Sequence, residues 1–350
     1  MSVGSSIIRR YGDTEFVTGL RCVAILMVLH VHTGAFSEFG AIGQSVTDNG
    51  KFGVQIFFVI AGFTIYQNVS TSDYKQYLIR RIFRVVPVYY FFILIGFCLL
   101  WFDVLQPNYW MQISGAKPDF YNVAMHFSLI SSWDDAIAAS VIGVEWTIPV
   151  EIFWYVFLPL MVRPSDGAVK VFLAIAMLTL LSYSARKLLG SDYLNWGSRF
   201  SPLKYGLYFY LGYLSGSVRS KVKPYIVMNV VISAACVLFY AWLMVNYHEG
   251  NDAFFALITA ALIVCVQPQS WLAAALTIRP FLFIGSVSYS FYLIHMIVIY
   301  LLGAVIQGEP LSNLRLFVVV FFITLCLSIV SYKFIELPSN RFGKRFATRF

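Results

Sequence analysis

The feature that most constrains this chain is a succession of apolar runs reaching about 20 residues, each bounded by charged or turn-forming residues. A run of that length crosses ~30 Å of hydrocarbon as a helix, and the runs lack the alternation of a membrane barrel. Composition points the same way. Of the 350 residues 59% are hydrophobic and 12% are charged, against about 25% charged in a soluble domain. The expected fold is all-α: a polytopic helical bundle in a lipid bilayer. Soluble enzymes, nucleic-acid modules and secreted disulfide scaffolds are excluded.

Ten spans are expected, over 16–36, 52–69, 86–102, 145–162, 169–185, 204–218, 225–246, 253–269, 281–306 and 314–334. The apolar stretch Val123 to Ser132 is too short to cross, which makes it re-entrant or interfacial. With the N-terminus inside, seventeen Lys and Arg residues fall on the cytoplasmic side and seven outside, with Arg21 within a span. That bias places both termini in the cytoplasm and accounts for the net charge of +8 without a nucleic-acid partner. The segment 186–204 runs against it, carrying Arg186, Lys187, Arg199 and Lys204 outside. No linker or low-complexity tract interrupts the chain, so 1–350 reads as one membrane domain with its core at 16–334. Met1 to Thr14 is polar, and the first apolar run is long and holds Arg21, unlike a cleavable signal. Cys22, Cys98, Cys236, Cys265 and Cys326 are scattered singly, with neither metal nor disulfide spacing, and read as small buried apolar residues.

Ionisable groups inside a bilayer are costly and mark function. In GLRCVAILMVLHVH, Arg21 and His32 are eleven positions apart. Three helical turns leave them about 20° apart on one face and ~16 Å apart along the axis, while His30 points away. In VEWTIPVEIFWY, Glu145 is expected at the outer water boundary, and Glu151 lies about 9 Å deeper. In GSVSYSFYLIH, Ser288, Tyr292 and His295 form one polar stripe, which serves either substrate binding or hydrogen bonding between helices. In YKQYLIRRIFRVVPVYY, Arg80, Arg81 and Arg84 precede a span. Positive-inside placement explains basic residues there; the sharper reading is a phosphate clamp, because Arg80 and Arg84 share a face at i, i+4 and guanidinium forks suit phosphate oxygens. His30 and His32 face apart on a helix, so no metal site is expected.

Taken together and in this order, these motifs resemble the membrane-bound acyltransferase family 3, the polysaccharide O-acetyltransferases. The resemblance runs from about Phe16 to Pro338 and adds FGVQIFFVIAGF and the terminal FIELP. Thr18, Gln55 and Ala61 stand where relatives often carry Asp, Asp and Ser. The resemblance implies an enzyme of a bacterial inner membrane that moves an acyl group, usually acetyl from acetyl-CoA, onto a hydroxyl of an envelope or exported glycan. O-antigen, capsule, exopolysaccharide and lipid-linked oligosaccharide all remain open as acceptors. CoA phosphates would rest on Arg80, Arg81, Arg84 and Arg21, with His32 as general base and Glu151 as its orienting acid. A proton-coupled transporter uses the same residue types, but no repeated pair of broken helices accompanies them. A glycan flippase would leave the inner arginines without a role.

Overall fold

The computed structural model describes residues 13–162, 199–221, 226–305 and 312–349, together with Leu173, Ala176, Met177 and Leu180. Among the described residues there is no strand. The chain is a helical membrane protein, as its apolar runs require. The main helices are α1 (Phe16–Thr33), α2 (Gly40–Asn49), α3 (Gly53–Val69), α4 (Tyr74–Trp101), α5 (Tyr109–Ser114), α6 (Phe120–Phe127) and α7 (Thr147–Met161). They continue with α8 (Gly206–Lys221), α9 (Ile226–Val245), α10 (Asn251–Cys265), α11 (Trp271–Leu276), α12 (Arg279–Val305), α13 (Asn313–Ser331) and α14 (Leu337–Ala347). A π-turn over Tyr332–Glu336 joins α13 to α14.

Nine of the ten expected spans coincide with a helix; the fifth, 169–185, falls almost wholly outside the described residues, as do Arg186 and Lys187. Five stretches are long and apolar enough to cross a bilayer: Phe16–Thr33, Gly40–Val69, Tyr74–Trp101, Arg279–Gly303 and Asn313–Ala347. The third expected span begins earlier than its apolar run. Asp73 caps α4, its side chain accepting from the Lys75 amide at 3.0 Å. The helix therefore starts at Tyr74 and carries the arginine motif on its first three turns. The short apolar stretch at 123–132 resolves into α6 and a 3-10 turn over Ser131–Trp133. All five cysteines are free, but only Cys22 and Cys265 are buried and Cys326 is exposed, which corrects the expectation that all are interior.

Packing groups the chain into two compact units. The first comprises residues 1–66, 211–292 and 310–328, and the second 67–210, 293–309 and 329–350. In the first unit α1 is held closely by its neighbours. A Cβ on Gly19 would strike the Leu276 carbonyl, and one on Gly285 would strike the Thr18 carbonyl, so both contacts are backbone against backbone. Small residues permit this approach between membrane helices. In the second unit α14 lies on α4. Phe83 is in ring contact with Phe342 and Phe346, and Ser339 donates to the Phe83 carbonyl.

Candidate active site

In the first unit the site is built on α1. The helix ends at Gly34, whose φ of 66° lies in the left-handed region that favours glycine, so His32 occupies the last turn. His32 is exposed and Arg21 half-buried, whereas His30 is buried, as the shared face predicts. The His32 Nδ1 lies 2.8 Å from the Val28 carbonyl oxygen one turn back. A carbonyl only accepts, so Nδ1 carries the ring proton and Nε2 keeps a lone pair. His30 stands edge-on to Phe36 at 5.6 Å, against the backbone of Gly50, and its Nδ1 has no hydrogen-bond partner. The two histidines thus differ in exposure and in partners: His32 is exposed and hydrogen-bonded to its own helix, and His30 is packed in the interior.

In the second unit the arginine motif divides. Arg80 and Arg84 are half-buried, whereas Arg81 is 5% exposed and lies over the rings of Tyr155 (5.5 Å) and Tyr77 (6.0 Å). Arg80 Nε donates to the Gln76 carbonyl at 3.1 Å, and its buried Nη2 has no partner in the protein. Arg81 also interacts electrostatically with Glu151, whose Oε1 accepts from the Tyr155 hydroxyl one turn along α7. Tyr77 and Tyr74 pin the same stretch by donating to the carbonyls of Tyr155 (3.2 Å) and Val156 (3.0 Å). Glu151, half-buried, and the buried Tyr155, Arg81 and Tyr77 thus form one network joining α4 to α7. His32 and Arg21 belong to the other unit.

The α12 stripe is entirely interior: Ser288 is 4%, Tyr292 6% and His295 0% exposed. Ser288 donates to the Gly285 carbonyl of its own helix at 2.9 Å, and Tyr292 meets Phe57 edge-to-face at 6.1 Å. Ser288 and Tyr292 fall in the first unit and His295 in the second.

Sequence reasoning missed a second acid–base pair and misplaced one of its members. Glu145, expected at the water boundary, has a fully buried side chain, and its Oε1 lies 3.6 Å from Nε2 of the equally buried His126. The two carboxylate oxygens also accept from the amides of Val141 (2.6 Å) and Gly143 (2.5 Å). Gly143 has a φ of 102°, a conformation few other residues adopt, and that bend aims both amides at the carboxylate. His126 Nδ1 faces the Asn122 carbonyl at 2.9 Å. The only signal in the sequence was a histidine in an apolar stretch too short to cross. No cluster of three or more metal-ligating side chains occurs among the described residues.

The family model of the acyltransferase domain, acyltransferase 3, matches residues 14–333. The chain is similar to YrhL of Bacillus subtilis, 27% identical over 365 residues, covering 95% of this chain and 55% of that protein. It is likewise similar to the peptidoglycan O-acetyltransferase OatA of Listeria monocytogenes, 24% identical, covering 93% of this chain and 56% of that one. The O-acetyltransferase OatA of Staphylococcus aureus is 23% identical, with 94% and 58% covered. The chain therefore spans a little over half the length of the curated relatives it matches. No solved structure matches. The family match covers more than nine-tenths of the chain and includes Arg21, His32, the α4 arginines and Glu151: this protein belongs to the acyltransferase 3 family.

Proposed function

We propose that the protein is an inner-membrane O-acyltransferase that moves an acetyl group from cytoplasmic acetyl-CoA to a hydroxyl of an envelope or exported glycan. The observation that carries the reading is the hydrogen bond from His32 Nδ1 to the Val28 carbonyl. It leaves Nε2 as a base at the end of a helix that also carries Arg21, within a chain of this family. The names of the relatives, peptidoglycan O-acetyltransferase among them, support a glycan acceptor.

In the proposed reaction Nε2 removes the proton of the acceptor hydroxyl as its oxygen attacks the thioester carbonyl. The carbon–sulfur bond breaks, the acetyl ester forms, and the departing CoA thiolate takes the proton back from the imidazolium. Atoms and charge balance without a metal or an oxidant. Arg80 and Arg84 hold CoA phosphates, to which guanidinium donors bind strongly, and Arg21 adds a cation on the helix of the base. Glu151 acts within its own network: Tyr155 and Arg81 keep a half-buried carboxylate hydrogen-bonded and charge-compensated, as a charge partly withdrawn from water requires.

The test is CoA release by the purified protein in lipid nanodiscs supplied with acetyl-CoA, with and without peptidoglycan fragments or other glycans. Acceptor-dependent thiol release with acetyl appearing on the glycan is the expected result. Glycan or proton flux across a sealed vesicle without thiol release would overturn the reading in favour of a carrier.

A further inference from the structure

We infer that α14, the basic helix at the end of the chain, forms a second wall of the phosphate site and binds the 3′-phosphate of acyl-CoA through Arg341 and Lys344; this deepens the acyl-CoA reading and rests on it. Positive-inside placement alone would account for basic residues at this end of the chain. Three observations give them a ligand.

First, α14 is fixed against the arginine motif itself. A Cβ on Gly343 would collide with the Phe83 ring, so the two helices meet at that glycine, and Phe342, Phe346 and Ser339 all engage Phe83. Phe83 lies between Arg80 and Arg84 in the sequence, and Gly343 between Arg341 and Lys344. All four cations thus fall within about one helical turn of a single contact point.

Second, three of the four cations are placed on one side. In the alternating arrangement expected of ten spans, α4 is the third and α13 the tenth, so α14, which continues α13, runs antiparallel to α4. On an antiparallel pair, the residue following the contact position on each helix lies on the same side. Those residues are Arg84 and Lys344; Arg80, three positions before Phe83, is inclined to the same side, and Arg341, two positions before Gly343, falls about 160° round on the outer face of α14, from which only its long side chain can reach. Arg341 and Lys344 are exposed, and α14 carries three cations and no carboxylate.

Third, Arg80 presents a buried Nη2 with no partner in the protein. Buried guanidinium donors are seldom left unmatched, and a bound anion is a partner of the right charge. Acyl-CoA carries three phosphates: a pyrophosphate, which suits the i, i+4 pair Arg80 and Arg84, and a separate 3′-phosphate, which needs further cations. An anionic lipid headgroup has the same chemistry, so the experiment separates the two.

The measurement is acetyl-CoA affinity against dephospho-acetyl-CoA, which lacks only the 3′-phosphate, in nanodiscs of zwitterionic and of anionic lipid. Wild type prefers acetyl-CoA. The Arg341→Ala/Lys344→Ala variant loses about tenfold in acetyl-CoA affinity and binds both ligands alike, in either lipid. Lys333→Ala, which removes a cation from the π-turn before α14, roughly 12 Å along the chain axis from Arg341 and roughly 16 Å from Lys344, keeps the wild-type preference. An unchanged preference in the double variant overturns the inference, as does a loss confined to anionic nanodiscs, which would make α14 a lipid-surface helix. A wild-type protein that binds neither ligand would overturn the acyl-CoA reading itself, a result distinct from the other two.

Discussion

His32 and His30 are two positions apart on one helix and differ in everything that matters for chemistry. His32 is exposed, with Nδ1 committed to the Val28 carbonyl, and in the proposed reaction Nε2 is the base. His30 is buried against Phe36 and Gly50. Replacing His32 with Ala is expected to abolish CoA release while the protein still inserts and purifies, and His30→Ala is expected to retain most turnover per folded molecule. Equal losses at matched yield would remove the base from His32. Glu145 gives a sharper test of burial. Both of its oxygens accept backbone N–H groups, at 2.6 and 2.5 Å. The amide of Glu145→Gln would turn one NH2 toward another donor. Facing buried donors cost about 1–3 kcal/mol, and the charge opposite His126 is lost as well. The apparent Tm in detergent should fall, whereas the exposed Glu249→Gln should leave it unchanged. A Glu145→Gln protein as stable as wild type would show that the carboxylate is not what holds this loop.

At the scale of elements, the legible and illegible parts of the molecule separate by the physics that governs them. Span positions were legible because lipid enforces an apolar run of fixed length, and the Arg21–His32 face was legible because helical periodicity is fixed. The start of α4 was misjudged by about three turns. Hydropathy registers where the apolar run begins, while the helix begins at its Asp73 cap and carries Arg80, Arg81 and Arg84 as helical residues. That difference decides what the motif does. On a helix, Arg81 turns toward Tyr77, Tyr155 and Glu151, away from the pair one place before and three after it. The His126–Glu145 pair was invisible for another reason: its members are nineteen residues apart in irregular chain, and only the Gly143 bend and the Asn122 carbonyl bring their groups together. Periodicity carries no information about such a loop. The hydrogen bond that sets the His32 tautomer is equally absent from the sequence, since it depends on a side-chain rotamer.

For the molecule as a whole, the distribution of charge makes a claim that the helices alone do not. The proposed orientation, with seventeen Lys and Arg residues on one side against seven on the other, puts both termini and the α3–α4 connection inside and the α9–α10 connection outside. Within the second unit, the basic α14 and the arginine-bearing start of α4 meet at Phe83 and Gly343, so two basic helical segments gather at one place. If that place faces the cytoplasm, CoA can reach it, and His32, at the far end of an outgoing α1, is left toward the acceptor side. The orientation is measurable with cysteines introduced at Thr71, between α3 and α4, and at Glu249, between α9 and α10; both residues are exposed. In intact cells a membrane-impermeant maleimide should label the Glu249→Cys protein and spare Thr71→Cys until the membrane is opened. The reverse pattern would put the basic helices outside, away from the cytoplasmic CoA pool, and a donor other than acyl-CoA would then be required.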